Sequence, residues 1–442
     1  MTNFDLHNLI TGNSDSAICI WWFNVDLDDD WNQQSSTFFP RAASTDKKAI
    51  WGMEQILLLL ACENDFVIMR DYPNKLICDS MKTIGYNSPN ILIPNNNYTE
   101  QKSMSELILS DEKLLTNLKN IAQNSNVYLI PYAITKHEMK ISEVVGAKLI
   151  GPSFSLASWI NSKINARAIS KELGFSTTFG MECHSKEELS VASDIIQSKN
   201  SNCTMVLKDE YGASGKGLFI IRTKQDLDLV LFRAGKLDEK RTKYSTILEN
   251  WYMVNESINY QILISHNTYL SKNYLVCVSR QDVKNGIYRG STFIKTNTEL
   301  YKTYSKYSIQ LGDYLYEKGY RGICNIDSII TVDKLIIPII EINGRLSLST
   351  YISCISSMFA EDMDIVSAYY DINSKIELPQ IYNSIEKYRY NIETKTGIFI
   401  YSFSIGSNRS RLFCLFAYPN INAINNVKLE FENILDGLKY II

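Results

Sequence analysis

Metal sites built from histidine or cysteine need tight spacings, and this chain lacks them. It has four His and nine Cys, none in an HExxH or CxxC arrangement. An odd, scattered set of thiols points away from a disulfide framework or a zinc site and toward a reducing, cytoplasmic setting. Long apolar runs are also missing. The longest, Ile56–Cys62, is far too short to span a bilayer, so no membrane role is expected. The N-terminal MTNFDLHNLI lacks the basic region and apolar core of a signal peptide. Charge of one sign is missing too: the formal net charge is −3, which gives no reason to expect nucleic acid or an anionic membrane as partner. No GxGxxG follows the first apolar strand, so a dinucleotide fingerprint is absent.

What is present is length and order. The 442 residues suffice for two to four domains. Residues 1–150 alternate strand and helix: strands over Ala17–Val25, Phe66–Arg70, Asn90–Ile93 and Val127–Ile130, and helices over Lys47–Cys62, Lys75–Ile84 and Ser103–Gln123. Strands spaced by helices imply a parallel sheet covered on both faces. Trp21, Trp22, Trp31 and Trp51 crowd this part beside Asp26, Asp28, Asp29 and Asp30. A strand end followed by a solvated acidic loop accounts for them better than a binding surface, although an apolar, Trp-rich domain also suits a homodimer.

Ala157–Leu173 has helical spacing and stops at Gly174. Lys163 and Arg167 lie four apart on it, a pairing most often solvated. Next, a strand over Thr204–Lys208 ends in lysine and a second covers Leu218–Ile221. Between them runs Gly212-Ala213-Ser214-Gly215-Lys216-Gly217, small residues that let backbone N–H groups approach phosphate oxygens. It is not a Walker A loop, because Glu210 and Gly217 occupy that motif's first Gly and its Ser/Thr, and a strand rather than a helix follows. A plain Gly-rich hairpin remains open here.

Tyr244–Leu248 is a strand leading into Glu249-Asn250-Trp251, with Glu256 beyond. Asn259–Ser265, Tyr269–Val278 and Gly290–Lys295 read as antiparallel strands. A polar loop over Arg280–Arg289 carries Arg280, Lys284 and Arg289, and Glu299–Lys318 is an amphipathic helix. The stretch GYRGICNIDSIITVDKLIIPIIEINGR, residues 319 to 345, then gives two β-type runs, Ile323–Val332 and Leu335–Ile342, joined at Asp333-Lys334. Glu341 and Asn343 are two apart and share a face, and a hairpin brings Asp327 opposite. Two carboxylates and an amide oxygen form a hard-oxygen set suited to Mg²⁺, and Arg345 beside them suits a phosphoryl group. A buried hairpin ending in an Asn-Gly turn accounts for this stretch equally well. Ser347–Met358 continues as helix, and 360–385 read as helix and connection. Strands over Gly397–Ser404 and Leu412–Tyr418 and a helix over Ala423–Gly437 make a compact β-β-α tail.

Taken together, Lys208, the glycine loop, Glu249-Asn250-Trp251 and the Asp327/Glu341/Asn343/Arg345 set occur in the order of the ATP-grasp superfamily, which the chain resembles over about residues 150 to 360. The whole layout is similar to a subgroup with a pre-ATP-grasp N-terminal domain, the one that holds the peptide ligase of pheganomycin biosynthesis and the butirosin-pathway enzyme that couples glutamate to an acyl carrier protein. The resemblance implies an α/β and α+β chain: a Rossmann-like domain at 1–150, a lid lobe at 151–245, a core lobe with the metal site at 246–380 and a small β-β-α domain at 381–442. It implies ATP bound by Lys163 and Lys208 at the α- and β-phosphates. Ser214, Gly215, Lys216 and Gly217 would close as a lid. Glu249, Asn250 and Trp251 would read the adenine end, and Glu256 the ribose. Asp327, Glu341 and Asn343 would hold Mg²⁺, and Arg345 would steady the transferred phosphoryl group. Many relatives carry Glu at the place of Asp327. Arg280 or Arg289 would face a substrate carboxylate, unless that loop is simply solvated.

The implied reaction joins an amino-acid or peptide carboxylate to an amine through an acyl phosphate, releasing ADP. Alternatives are loading onto the thiol of an acyl carrier protein, a silent ATP-binding regulatory protein, and a kinase acting on a hydroxyl. A carboxylate placed to meet a triphosphate rather than a buried partner also predicts that Glu341→Gln leaves the ligand-free fold slightly more heat-stable.

Overall fold

The computed structural model describes residues 6–12, 16–25, 28–32, 36–39, 52–86, 88–95, 102–199, 203–212, 217–265, 271–284, 287–356, 362–406 and 408–438. Five parallel strands come first: β1 (Ala17–Trp22), β2 (Phe66–Ile68), β3 (Asn90–Leu92), β4 (Asn126–Pro131) and β5 (Lys148–Leu149). Their spatial order is β3-β2-β1-β4-β5. The order reverses at β1, as in doubly wound sheets. Both faces are covered. Ile20, Trp22 and Ile68 face the helices Met104–Ser110 and Glu112–Asn124, while Trp21 and Val67 face Leu57 and Ile77.

A four-stranded sheet follows, β6 (Gly180–Cys183), β7 (Met205–Asp209), β8 (Leu218–Ile221) and β9 (Thr246–Asn250), in the order β6-β9-β7-β8. The helices Lys186–Lys199 and Lys224–Glu239 bury Leu189, Ile196, Val230 and Leu237 against it. This small lobe also buries Phe38 from the N-terminal region.

The remaining strands form one eight-stranded antiparallel sheet: β10 (Val254–Ile264), β11 (Asn273–Lys284), β12 (Ile287–Phe293), β13 (Gly322–Thr331), β14 (Ile336–Asn343), β15 (Asp364–Ile372), β16 (Gly397–Ile405) and β17 (Ser410–Tyr418). The order is β14-β13-β10-β11-β12-β15-β17-β16. Strand alternation gives it two different faces. Ile258, Tyr260 and Ile326 pack under the helix Glu299–Glu317. Leu263, Phe293 and Ile365 pack against Trp21, Leu57 and Tyr351, so one core runs from the parallel sheet into the large one. The β-β-α tail adds its strands to this sheet through β15, whose residues Val366–Ala368 pair with Gly290–Thr292 of β12.

Several elements depart from the sequence expectations. The expected helix over Ala157–Leu173 is two helices, Phe154–Asn161 and Lys163–Glu172, because Ser162 is extended and its Oγ caps the second by accepting from Asn165 N. Asp111 divides Ser103–Gln123 in the same way. Where helix and connection were expected at 360–385, Asp364–Ile372 is a strand: its β-branched and aromatic residues are held by partners on both sides, which outweighs local preference. The polar loop expected over Arg280–Arg289 is instead the paired ends of β11 and β12. Of the helix expected over Lys47–Cys62, residues 47–51 lie outside the described residues and Gly52–Leu59 is a 3₁₀-helix. Trp21, Trp22 and Trp31 are interior residues, so they supply no apolar surface for a homodimer; Trp51 lies outside the described residues. Among the described residues no helix is long and apolar enough to cross a membrane.

Candidate active site

The β13–β14 hairpin pairs Asp327 directly with Glu341 and Asn325 with Asn343. Directly opposed residues share a face, as do residues two apart. Asp327, Glu341 and Asn343 therefore project together, and Asn343 Nδ2 donates to Asp327 Oδ2 at 3.3 Å. The other Asp327 oxygen accepts from Asn259 Nδ2 at 3.0 Å and Gln281 Nε2 at 3.2 Å. Burial, and then the Glu341 charge, push the Asp327 carboxyl up to about 6, against the pull of those amides and of Arg345. Two carboxylates held this close form a site short of positive charge, the chemistry of a hard-cation site.

Cations reach this face from other elements. Lys163 begins the helix that Ser162 caps, and its Nζ donates to Gly212 O at 2.6 Å and lies 3.5 Å from Glu341 Oε1. The break at Ser162 thus has a purpose, because it places Lys163 at a helix start beside the glycine loop. Lys163 N donates to Glu210 O, and Ser162 Oγ donates to Glu210 Oε1. Lys208, near the end of β7, pairs with Glu249 of β9. Glu249 also accepts from Thr178 Oγ1 at 2.5 Å and lies 3.4 Å from Arg167 Nη1. Lys163, Arg167, Thr178, Lys208 and Glu249 line one small cleft with Ile339 and Ile340 of β14. Beyond Glu249, Asn250 N donates to Phe179 O and Trp251 N to Thr204 O. Trp251 and Met253 are 41% and 72% exposed where the chain leaves the small lobe.

Arg345 stands beside the carboxylates and touches the parallel-sheet domain. Its Nη1 donates to Tyr132 Oη at 3.1 Å, and Leu346 N donates to Tyr132 O. Gly217 O accepts from Asp209 N, closing the base of the glycine loop. Ser214, Gly215 and Lys216 lie outside the described residues.

Two sequence-derived residues are not brought to the carboxylates. Glu256 and Arg280 pair with each other, and the register puts them level with Ile330 and Ile258, on the face covered by the helix Glu299–Glu317. The parity of β10 and β11 is the reason: Asn259 and Gln281 point to Asp327, so their neighbours point away. Arg280 is therefore corrected from a group beside the carboxylates to an ion pair with Glu256 on the other face of the sheet. Arg289 lies farther along the sheet. Sequence reading missed Asn259, Gln281 and Tyr132, and it read Arg167 as solvated. A polar residue at every second position of β10 was the available signal for Asn259 and Gln261.

His7, Cys62 and Asp65 also offer ligand atoms within 4.8 Å of one another. The Asp65 oxygens already accept from Cys19 N, Cys62 N and Trp21 Nε1, which explains a buried aspartate without a metal.

The chain is 27% identical over 338 residues to the [butirosin acyl-carrier protein]–L-glutamate ligase of Niallia circulans, covering 75% of this chain and 73% of that one. The solved N5-carboxyaminoimidazole synthetase of Staphylococcus aureus in complex with ADP matches with a TM-score of 0.55 over 95% of this chain and 98% of that chain, at 11% identity. Biotin carboxylase from Campylobacter jejuni matches with a TM-score of 0.55 over 94% of this chain and 90% of that chain, at 13% identity. The chain has the ATP-grasp fold. No protein-family model matches it. The four-stranded sheet and its two helices form the smaller lobe, and the β13–β14 hairpin belongs to the eight-stranded sheet.

Proposed function

We propose that the protein is an ATP- and Mg²⁺-dependent ligase that activates an amino-acid or peptide carboxylate as an acyl phosphate and joins it to an amine, releasing ADP and phosphate. One observation carries this reading: Asp327, Glu341 and Asn343 share a face, Lys163 of the neighbouring lobe reaches Glu341, and Arg345 stands beside them. The donors suit the group. Asp327 and Glu341 supply hard oxygens, and Asn343 an amide, for a small divalent ion whose other ligands are phosphates and water. Mg²⁺ held there would offset the negative charge of the phosphates.

The chain's own residues do the rest. Lys163 and Lys208 exchange their carboxylate partners for phosphate oxygens, a charge-for-charge swap that leaves no buried cation unpaired. Arg345, oriented by Tyr132, offsets charge on the phosphoryl group in transfer to the substrate carboxylate. That transfer makes a mixed anhydride with a good leaving group. The nucleophile then attacks the acyl carbon, its proton leaves, and phosphate departs. Residues 151–245 act as the lid that keeps water from the anhydride, with Ser214–Gly217 as its tip, and 246–380 as the core lobe. Exposed Trp251 and Met253 offer an apolar seat for adenine beside Glu249 and Asn250. Residues 1–150 face the substrates, and 381–442 extend the core sheet.

A second reading shares every step but the last. The relative at 27% identity is named for ligating L-glutamate to an acyl carrier protein, which favours a carrier thiol as acceptor and glutamate as acyl donor. A screen of amino acids, peptides and carrier proteins for ADP release, with mass spectrometry of products, separates the two. Amide products support the amine reading and a thioester the carrier reading. ATP binding with no ADP release from any partner would leave a silent binder.

A further inference from the structure

The sheet face that carries Asp327 also buries an unusual set of polar side chains. Asn259, Gln261 and Asn325 are each at most 3% exposed, and Thr350 is fully buried. Burying this many amides and hydroxyls is costly unless each finds a partner, and apolar residues of similar volume would fill the same space at less cost. Here they are linked in one chain. Asn259 Nδ2 donates to Asp327 Oδ1 at 3.0 Å, and Gln261 Nε2 donates to Asn259 Oδ1 at 3.2 Å. Thr350 Oγ1 donates to Gln261 Oε1 at 2.8 Å and accepts from Ser347 N at 3.0 Å. Ser347 Oγ donates to Asn325 Oδ1 at 2.6 Å, and Asn325 Nδ2 donates to Arg345 O at 2.5 Å.

The chain has a direction. An ionised carboxylate only accepts, so Asp327 fixes the orientation of the Asn259 amide. That leaves Asn259 Oδ1 as acceptor, which fixes Gln261, which in turn requires a donor at Thr350. Thr350 is a hydroxyl with one proton, so its other contact must be a donor, and the Ser347 N–H is one. Ser347 and Asn325 then tie the segment to the backbone of Arg345. Reversing any of these amides would set acceptor against acceptor: an amide oxygen would face Asp327 Oδ1, Asn259 Oδ1 or Arg345 O.

We infer that Gln261 and Thr350 are positioning residues that set Asp327 relative to Arg345, acting through Asn259, Ser347 and Asn325. The inference rests on the metal reading of Asp327 given above. The helix Leu348–Ser356 carries Thr350, β10 carries Gln261, and β13 and the segment after β14 carry the two ends. Four separate pieces of chain are thus held in one register by side-chain hydrogen bonds. Outer partners of metal ligands act in this way, and their loss weakens metal binding by about 10- to 100-fold.

The test compares Thr350→Val, which keeps the shape and removes the hydroxyl, with Thr350→Ser, which keeps the hydroxyl. Mn²⁺ affinity is read by electron paramagnetic resonance in the full-length protein with a non-hydrolysable ATP analogue, and analogue affinity without metal is read by calorimetry. The expected result is Mn²⁺ binding about 10-fold weaker or more in Thr350→Val, recovered in Thr350→Ser, with metal-free analogue affinity equal in all three. Gln261→Leu should match Thr350→Val. Equal Mn²⁺ affinity in folded Thr350→Val and wild type overturns the positioning role. Wild type that binds the analogue but no Mn²⁺ overturns the metal reading instead.

Discussion

Lys163 Nζ lies 3.5 Å from Glu341 Oε1, so the lysine that begins the helix Lys163–Glu172 is paired with a carboxylate of the β13–β14 hairpin. Lys208 is paired with Glu249 in the same way. Both lysines are largely buried, and an unpaired buried cation is costly. On the proposed reading, phosphate oxygens take the place of these carboxylates, one charge partner for another.

That exchange gives the first prediction. Lys208→Ala should weaken ATP binding by about 1.5–3 kcal/mol, the worth of a hydrogen bond to a charged group. It also leaves Glu249 with Arg167 and Thr178 alone, so the small lobe should lose some thermal stability. Calorimetry with a parallel melting curve checks both; unchanged ATP affinity in a folded variant would remove Lys208 from the site.

The Lys163–Glu341 pair corrects the sequence expectation that Glu341→Gln stabilises the ligand-free protein. Two effects oppose: repulsion from Asp327 is relieved, and the contact with Lys163 is lost. Their balance depends on pH. Asp327 has a folded-state pKa raised to about 6. Its proton is held more tightly folded than unfolded, so its contribution to stability is present at low pH and lost as pH rises through about 4 to 6. At pH 5 Asp327 is largely neutral and Glu341→Gln should destabilise. At pH 8 the repulsion is present and the same change should be close to neutral. Denaturant titrations at the two pH values read this directly, and Asp327→Asn should flatten the wild-type slope between them. Turnover should fall to near background in Glu341→Gln at either pH.

Gly217 has φ +81°, and a Cβ there would lie 3.0 Å from the Asp209 side chain. Gly217→Val should therefore slow turnover by disturbing the base of the loop, with a smaller effect on global stability. Hydrogen exchange of residues 205–221 should show protection by ATP in wild type and less in the variant. Identical exchange with and without ATP in wild type would argue against a closing lid.

Phe38 is anchored in the four-stranded lobe, among residues far from it in sequence. Its ring is buried in the small-lobe core, its N–H donates to Asp209 Oδ1 at 2.8 Å, and its carbonyl accepts from Arg233 Nε at 3.0 Å. Phe38→Ala should cost that lobe about 3–5 kcal/mol. Exchange should rise in Lys186–Lys199 and Lys224–Glu239 while β1 stays protected; uniform exchange would contradict a local anchor.

Much of this was legible in sequence for a physical reason. Asp327, Glu341 and Asn343 lie on one tight hairpin, where period-two alternation settles which residues share a face. Lys208 was legible because a strand ending in lysine before a glycine loop is a local pattern. Arg280 was misplaced because the polar run from Arg280 reads as a loop, which hid that β11 continues to Lys284 and that its parity turns Arg280 away from Asp327. The Ser162 cap was overlooked because the apolar spacing continues across it. Asn259, Gln261 and Thr350 meet only through tertiary pairing of separate segments, which no local spacing records. Strand β15 was likewise hidden, since its partners are far away in the chain.

The most direct test of acyl-phosphate chemistry follows the oxygen atom. The carboxylate substrate found by ADP release is labelled with oxygen-18 and turned over with ATP and Mg²⁺, and the released phosphate is read by phosphorus NMR. Activation through an acyl phosphate predicts ADP as product and one oxygen-18 atom transferred to phosphate. Unlabelled phosphate, or a stable phosphoester in its place, would contradict the proposed ligase.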